Sequence, residues 1–161
     1  MDKYSSLKES PFSVSEIKYC NCDSQFVSLG AVVHLLPNSL RCLSCFEAVD
    51  PANIPMLENV VSSLSNWSLT LATFRWLAFF DESGYEEWSD SELSNINSLI
   101  NQKGLKIHKE INLNSKVYYW FSRNYKSTKI SCPSCNVEMA RIKLKSSSVR
   151  ICEGCLIATA P

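Results

Sequence analysis

Cys132-Pro-Ser-Cys135 and Cys152-Glu-Gly-Cys155, two cysteine pairs with 16 residues between them, decide how this chain is read. A two-residue gap lets the backbone turn back so that both sulfurs face one point, and C-x2-C-x16-C-x2-C is within the spacing of a zinc ribbon. The intervening residues suffice for two short strands and a turn. Upstream, Cys20-Asn-Cys22 and Cys42-Leu-Ser-Cys45 repeat the theme as C-x1-C-x19-C-x2-C, with a tighter first knuckle. The 8 cysteines thus divide into two sets of four with none left over, the ligand count of two closed tetrahedral Zn²⁺ sites.

The same thiols in an oxidising compartment would read as four disulfides, and a lone C-x-x-C would read as a redox motif. The opening residues Met1 to Ser10 carry no apolar segment behind their charges. No stretch approaches the ~18 uncharged apolar residues of a membrane span. We therefore expect a cytoplasmic protein, without a membrane segment, whose paired cysteines hold metal. With 45% apolar residues in 161, the chain has enough material for a modest core.

The expected fold class is α+β, in four segments. Residues 1–11 are Ser-rich and read as a flexible arm. Residues 12–50 read as a zinc-pinned hairpin module, with a β-branched run from Phe26 to Leu36 and a turn at Pro37-Asn38-Ser39. Residues 51–125 read as a mainly helical body ending in an aromatic strand. Met56, Val60, Leu64 and Trp67 recur at helical spacing, with a break expected near Ser68 to Thr70. A further helix is expected over 98–111, weakened by Gly104, and Val117-Tyr-Tyr-Trp-Phe121 reads as the strand. Residues 126–161 read as the ribbon, with strands at 138–144, 148–151 and 156–159. Its short list of apolar side chains could not offset chain entropy, so metal would have to hold it. Gly154 is a candidate for a positive-φ position in the last knuckle.

Four thiolates leave a metal no open position for water, which argues against catalytic zinc. His34, in an apolar run, and His108, between Lys106 and Lys109, read as packed or solvated. There is no P-loop, dinucleotide fingerprint or nucleophile elbow. A non-enzymatic protein is expected.

Two surfaces stand out. Residues 123–155 hold Arg123, Lys126, Lys129, Arg141, Lys143, Lys145 and Arg150 against Glu138 and Glu153, candidate contacts to DNA or RNA phosphates. The metal-bound C-terminal tetrathiolate, carrying a net charge of about −2, would reduce that positive balance. Residues 81–92 hold six carboxylates and no base, with Tyr85, Glu86, Glu87 and Trp88 as candidate contacts to a protein partner.

The order of Leu40-Arg-Cys-Leu-Ser-Cys-Phe46, Ser98-Leu-Ile-Asn-Gln-Lys-Gly104, Val117-Tyr-Tyr-Trp-Phe121 and the last two cysteine pairs resembles a family of uncharacterised bacterial proteins. These are described as zinc-ribbon-containing, and nucleic-acid binding is suggested for them. The resemblance spans roughly residues 39–157. Members carry glycine where this chain has Leu43 and extend further at the N-terminus. The resemblance implies the ribbon fold and a nucleic-acid role. The residues themselves support two readings: a protein-binding module, such as an inhibitor, immunity protein or assembly factor, and a nucleic-acid adaptor built on the basic ribbon.

Overall fold

Val117 to Trp120 is apolar and aromatic on both sides, and such a strand is stable only where both faces are covered. In the computed structural model, which describes residues 3–8, 18–22, 26–30, 39–80, 84–123, 130–144 and 148–161, this segment is an inner strand of a six-stranded sheet. In chain order the elements are a helical turn α1 (Ser5–Lys8), β1 (Val27–Leu29), β2 (Leu40–Cys42), a 3-10 turn (Pro51–Asn53) and α2 (Glu58–Phe80). There follow α3 (Glu86–Ser94), α4 (Leu99–Ile111), β3 (Val117–Trp120), β4 (Ala140–Lys143), β5 (Ser148–Cys152) and β6 (Ile157–Thr159). The strand order is β2-β1-β3-β6-β5-β4. β3 runs parallel to β1 on one side and to β6 on the other, while β1/β2, β5/β6 and β4/β5 are antiparallel.

The mixed α and β architecture agrees with the sequence reading. The two cysteine-bearing segments, however, are not separate modules: β3 joins them into one sheet. Alternation along β3 sends Val117 and Tyr119 into a core shared with Val60, Leu64, Trp67 and Ile107 of the helices. Tyr118 and Trp120 point the other way, to a second cluster with Leu43, Val149, Ile151 and Ala158. Both are packing residues, Tyr118 fully buried and Trp120 half-buried.

Three local expectations are corrected. Part of the expected flexible arm is docked: Tyr4 and Leu7, one helical turn apart, are buried, and Lys3 Nζ and Tyr4 Oη donate to the carbonyls of Met56 and Ile54 at 3.0 and 3.3 Å. The break near Ser68 is absent, and α2 runs unbroken for 23 residues. Ser68 Oγ lies 2.7 Å from Ser39 Oγ, and Thr70 and Thr73 donate back to the carbonyls of Asn66 and Leu69, so the polar groups are satisfied without interrupting the helix. Ser98 caps α4 by accepting from the Asn101 amide at 3.3 Å. The third correction concerns Gly104, which is a packing requirement rather than a weakness. A Cβ there would lie 2.5 Å from the Trp67 ring and 2.7 Å from Tyr119. This close approach lets Trp67 Nε1 donate to the Ile100 carbonyl at 2.8 Å and Tyr119 Oη donate to Asn101 Oδ1 at 2.8 Å. Asn101 Nδ2 in turn donates to the Leu93 and Asn95 carbonyls at the end of α3.

The expected turn at Pro37-Asn38 and most of the run to Leu36, His34 included, lie outside the described residues, as do residues 145–147 between β4 and β5.

In an exposed helix Gly→Ala gains about 1 kcal/mol. Overpacking a filled site costs about 1–3 kcal/mol. Gly104→Ala is therefore expected to lower the urea midpoint, and a raised midpoint would show that the Trp67–Tyr119 contact is loose.

Candidate metal centres

The chain reverses at each Cys-x-x-Cys by the same device. Past Cys42 the Phe46 amide donates to the Cys42 carbonyl at 2.7 Å and the Cys42 amide to Glu47 at 3.0 Å. Past Cys132 the Asn136 amide donates to Cys132 at 2.9 Å and the Cys132 amide to Val137 at 2.8 Å. Phe46 and Asn136, each directly after the second cysteine, have φ of 60°, and Leu156, in the same place after Cys155, has φ of 50°. These left-handed residues close the knuckles, and sequence reasoning missed them. Position after the second cysteine was the available signal, since of the three only asparagine favours such a backbone. Gly154, expected to take a positive φ, does not; Leu156 does so in its place. The reason is register: Cys152 pairs with Ile157 across β5 and β6, so the chain must turn on the residue between Cys155 and Ile157.

Each set of four converges. Cys20, Cys22, Cys42 and Cys45 form one cluster and Cys132, Cys135, Cys152 and Cys155 the other, with the sulfurs of each set all within 4.8 Å of one another. None of the eight cysteines is joined in a disulfide. The Cys45–Cys20 and Cys135–Cys152 sulfur distances are 3.4 and 3.7 Å. With Zn–S near 2.3 Å, the edge of a tetrahedron is about 3.8 Å, so both donor sets fit a tetrahedral thiophilic ion. The tighter Cys20-Asn-Cys22 knuckle is held by the Cys20 amide, which donates to Ala48 at 2.7 Å, and by the Cys22 amide, which lies 3.2 Å from Cys20 Sγ.

Cys42 faces Val27 at the start of β1, and Cys152 faces Ile157 at the start of β6. Because β1, β3 and β6 are parallel, both clusters sit at the same end of the sheet. β2 and β5 are four strand spacings apart, about 19 Å.

The thiols are electrostatically unequal. Burial pushes Cys132 up to about 12 and also raises Cys20, Cys45 and Cys155. Exposed Cys135 is drawn down to about 7, first by the Val137 amide and then by Cys155. Around the C-terminal cluster, Tyr118 Oη donates to Glu153 Oε1 at 2.8 Å and Lys116 Nζ pairs with Glu153 Oε2 at 2.9 Å, tying the knuckle to β3. Buried His108 holds its Nε2 2.8 Å from the Val117 carbonyl, and burial lowers its pKa, so it serves as a neutral packed residue. Arg41, beside Cys42, is buried with no hydrogen-bond partner for Nε or Nη2 among the described residues.

The acidic candidates lie at the start of α3. Tyr85 and Trp88 are 57% and 49% exposed, and Trp88 stacks 5.1 Å from Phe74. Among the described residues no cation pairs with Glu86 or Glu87. Of the basic candidates, Arg141 and Arg150 are cross-strand neighbours, and Arg150 lowers the pKa of Arg123 after the larger effect of burial. Lys143 lies exposed on β4, an edge strand of the sheet. Lys126, Lys129 and Lys145 lie outside the described residues.

No protein-family model, no curated protein and no solved structure matches this chain. Among the described residues no helix is long and apolar enough to cross a membrane.

Metal requires thiolates, so each binding event at the C-terminal cluster must displace the proton of Cys132. Affinity is therefore expected to fall as pH falls. With Co²⁺ as the probe, the thiolate-to-metal absorption should fade as pH is lowered from about 8 to 5 and return on neutralisation. An absorption indifferent to pH would contradict thiolate ligation.

Proposed function

We propose that the two clusters each hold Zn²⁺ as a structural centre and that the protein is a non-enzymatic, cytoplasmic protein-binding module. An inhibitor, immunity or assembly role suits such a module. The convergence of four sulfurs in each set supports closed sites, which stabilise the fold and offer no position to a substrate. Structural zinc supplies ~10–16 kcal/mol of apparent binding free energy in small domains. That adds to the burial of the apolar side chains of these strands, Val149 and Ile151 among them.

The binding reading rests on one observation: Tyr85 and Trp88, exposed and in ring contact with each other, with Trp88 also against Phe74, stand beside Glu86 and Glu87, whose carboxylates pair with no cation among the described residues. Aromatic anchors within an acidic rim suit a basic protein surface. The second reading, which the family resemblance also suggests, is nucleic-acid binding through the ribbon. It is favoured by the Arg141–Arg150 pairing, since like charges directly opposite on neighbouring strands are destabilising unless an anion compensates them.

Reductively purified protein is expected to carry two equivalents of Zn²⁺, and chelation is expected to unfold the ribbon strands first, read by amide exchange. Metal content far below two would remove the structural-zinc reading. In affinity purification from the native host, Tyr85→Ala/Trp88→Ala should lose a basic partner that Arg141→Ala/Arg150→Ala retains. The converse pattern, with oligonucleotide binding that weakens steeply with salt, would establish the second reading.

A further inference from the structure

α4 carries one row of buried residues, Ile100, Gly104, Ile107 and Ile111, and a second row, Gln102, Lys106 and Lys109, at spacings of four and three. The second row borders a cleft of about 860 Å³. Its opposite wall is formed by Pro133-Ser134 and Gly154-Cys155, parts of two knuckles of the C-terminal cluster. A cleft of this volume is within the range that holds small molecules, about 300–1,000 Å³.

The lining has a definite chemistry. Ile96, Leu105, Leu156 and Ile157 give it an apolar part, and among the described residues no carboxylate lines it. Lys106 and Lys109 are exposed, and among the described residues neither has an ion-pair partner. His108 adds no charge, being buried against the Val117 carbonyl. Two ammonium groups three residues apart on one helix repel each other, and a dianion placed between them removes that repulsion. At Gly154 no atom lies within 4 Å of where a Cβ would stand, so that part of the wall is open.

We propose that this cleft binds a small phosphorylated molecule of mononucleotide type, its phosphate held by Lys106 and Lys109 and its ring lying on the apolar part of the lining. The site is separate from the acidic aromatic patch and from the arginine pair on the ribbon.

The test is fluorescence anisotropy of N-methylanthraniloyl-ADP with the metal-loaded protein. Saturable binding, competed by unlabelled ADP and by inorganic phosphate, is expected. Lys106→Ala/Lys109→Ala should weaken it at least tenfold. Gly154→Leu, at a position where an added Cβ meets no atom within 4 Å, puts a bulky side chain on the cleft wall and should do the same while leaving both lysines in place. Absence of binding by folded wild-type protein, or binding that survives both variants, overturns the proposal. Competition by benzoate but not by phosphate also overturns it, since the site would then recognise a carboxylate. If the wild type binds no nucleotide and the double lysine variant merely loses zinc more readily, the lysines only balance the tetrathiolate charge, and the proposal fails.

Discussion

The backbone of β3 is hydrogen-bonded on both edges, to β1 on one side and β6 on the other, and both pairings are parallel. Parallel strands need long crossovers, and here one crossover contains all the major helices and the other contains the β4–β5 hairpin. The placement of both cysteine clusters follows from this. β1 brings Cys42 to one side of the sheet end, and β6 brings Cys152 to the other. Were β3 to slip by one residue, Tyr119 would leave Trp67 and Gly104, and Tyr118 would lose its bond to Glu153.

Around that strand the molecule has two different kinds of order. On the helical face, Trp67, Gly104, Asn101 and Tyr119 interlock through close packing and buried hydrogen bonds, so a single methyl group is expected to be felt. At the cluster end, a smaller apolar cluster around Leu43, Tyr118, Val149 and Ile151 is joined by sulfur convergence and left-handed knuckle residues. The first kind of order is continuous over the helices. The second depends on eight thiols that repel each other when ionised, and their burial opposes ionisation at Cys132 in particular. A metal at each cluster would resolve that conflict, which is the physical ground for reading the clusters as sites that could hold one.

The surfaces left over differ in chemistry. The start of α3 joins aromatic rings to carboxylates, the β4–β5 hairpin pairs two arginines across strands, and the cleft beside α4 sets two lysines opposite the knuckle tips. These lie on different elements of one scaffold, which is why variants at each can be separated experimentally.

Cysteine spacing alone determined which sulfurs group together, because a short gap restricts both thiols to one turn whatever surrounds them. Apolar periodicity similarly marked out α2 and α4, the aromatic run 117–121 marked out β3, and position relative to the last two cysteine pairs marked out β4, β5 and β6. What only the tertiary structure decided were relations between distant residues: the union of both cysteine segments in one sheet, the burial of Tyr4 and Leu7, the continuity of α2 through Ser68, and the need for glycine at position 104. Local propensity describes a residue against its own helix or strand. It carries no record of the Trp67 ring that arrives from another element, or of the register that turns the chain on Leu156 instead of Gly154.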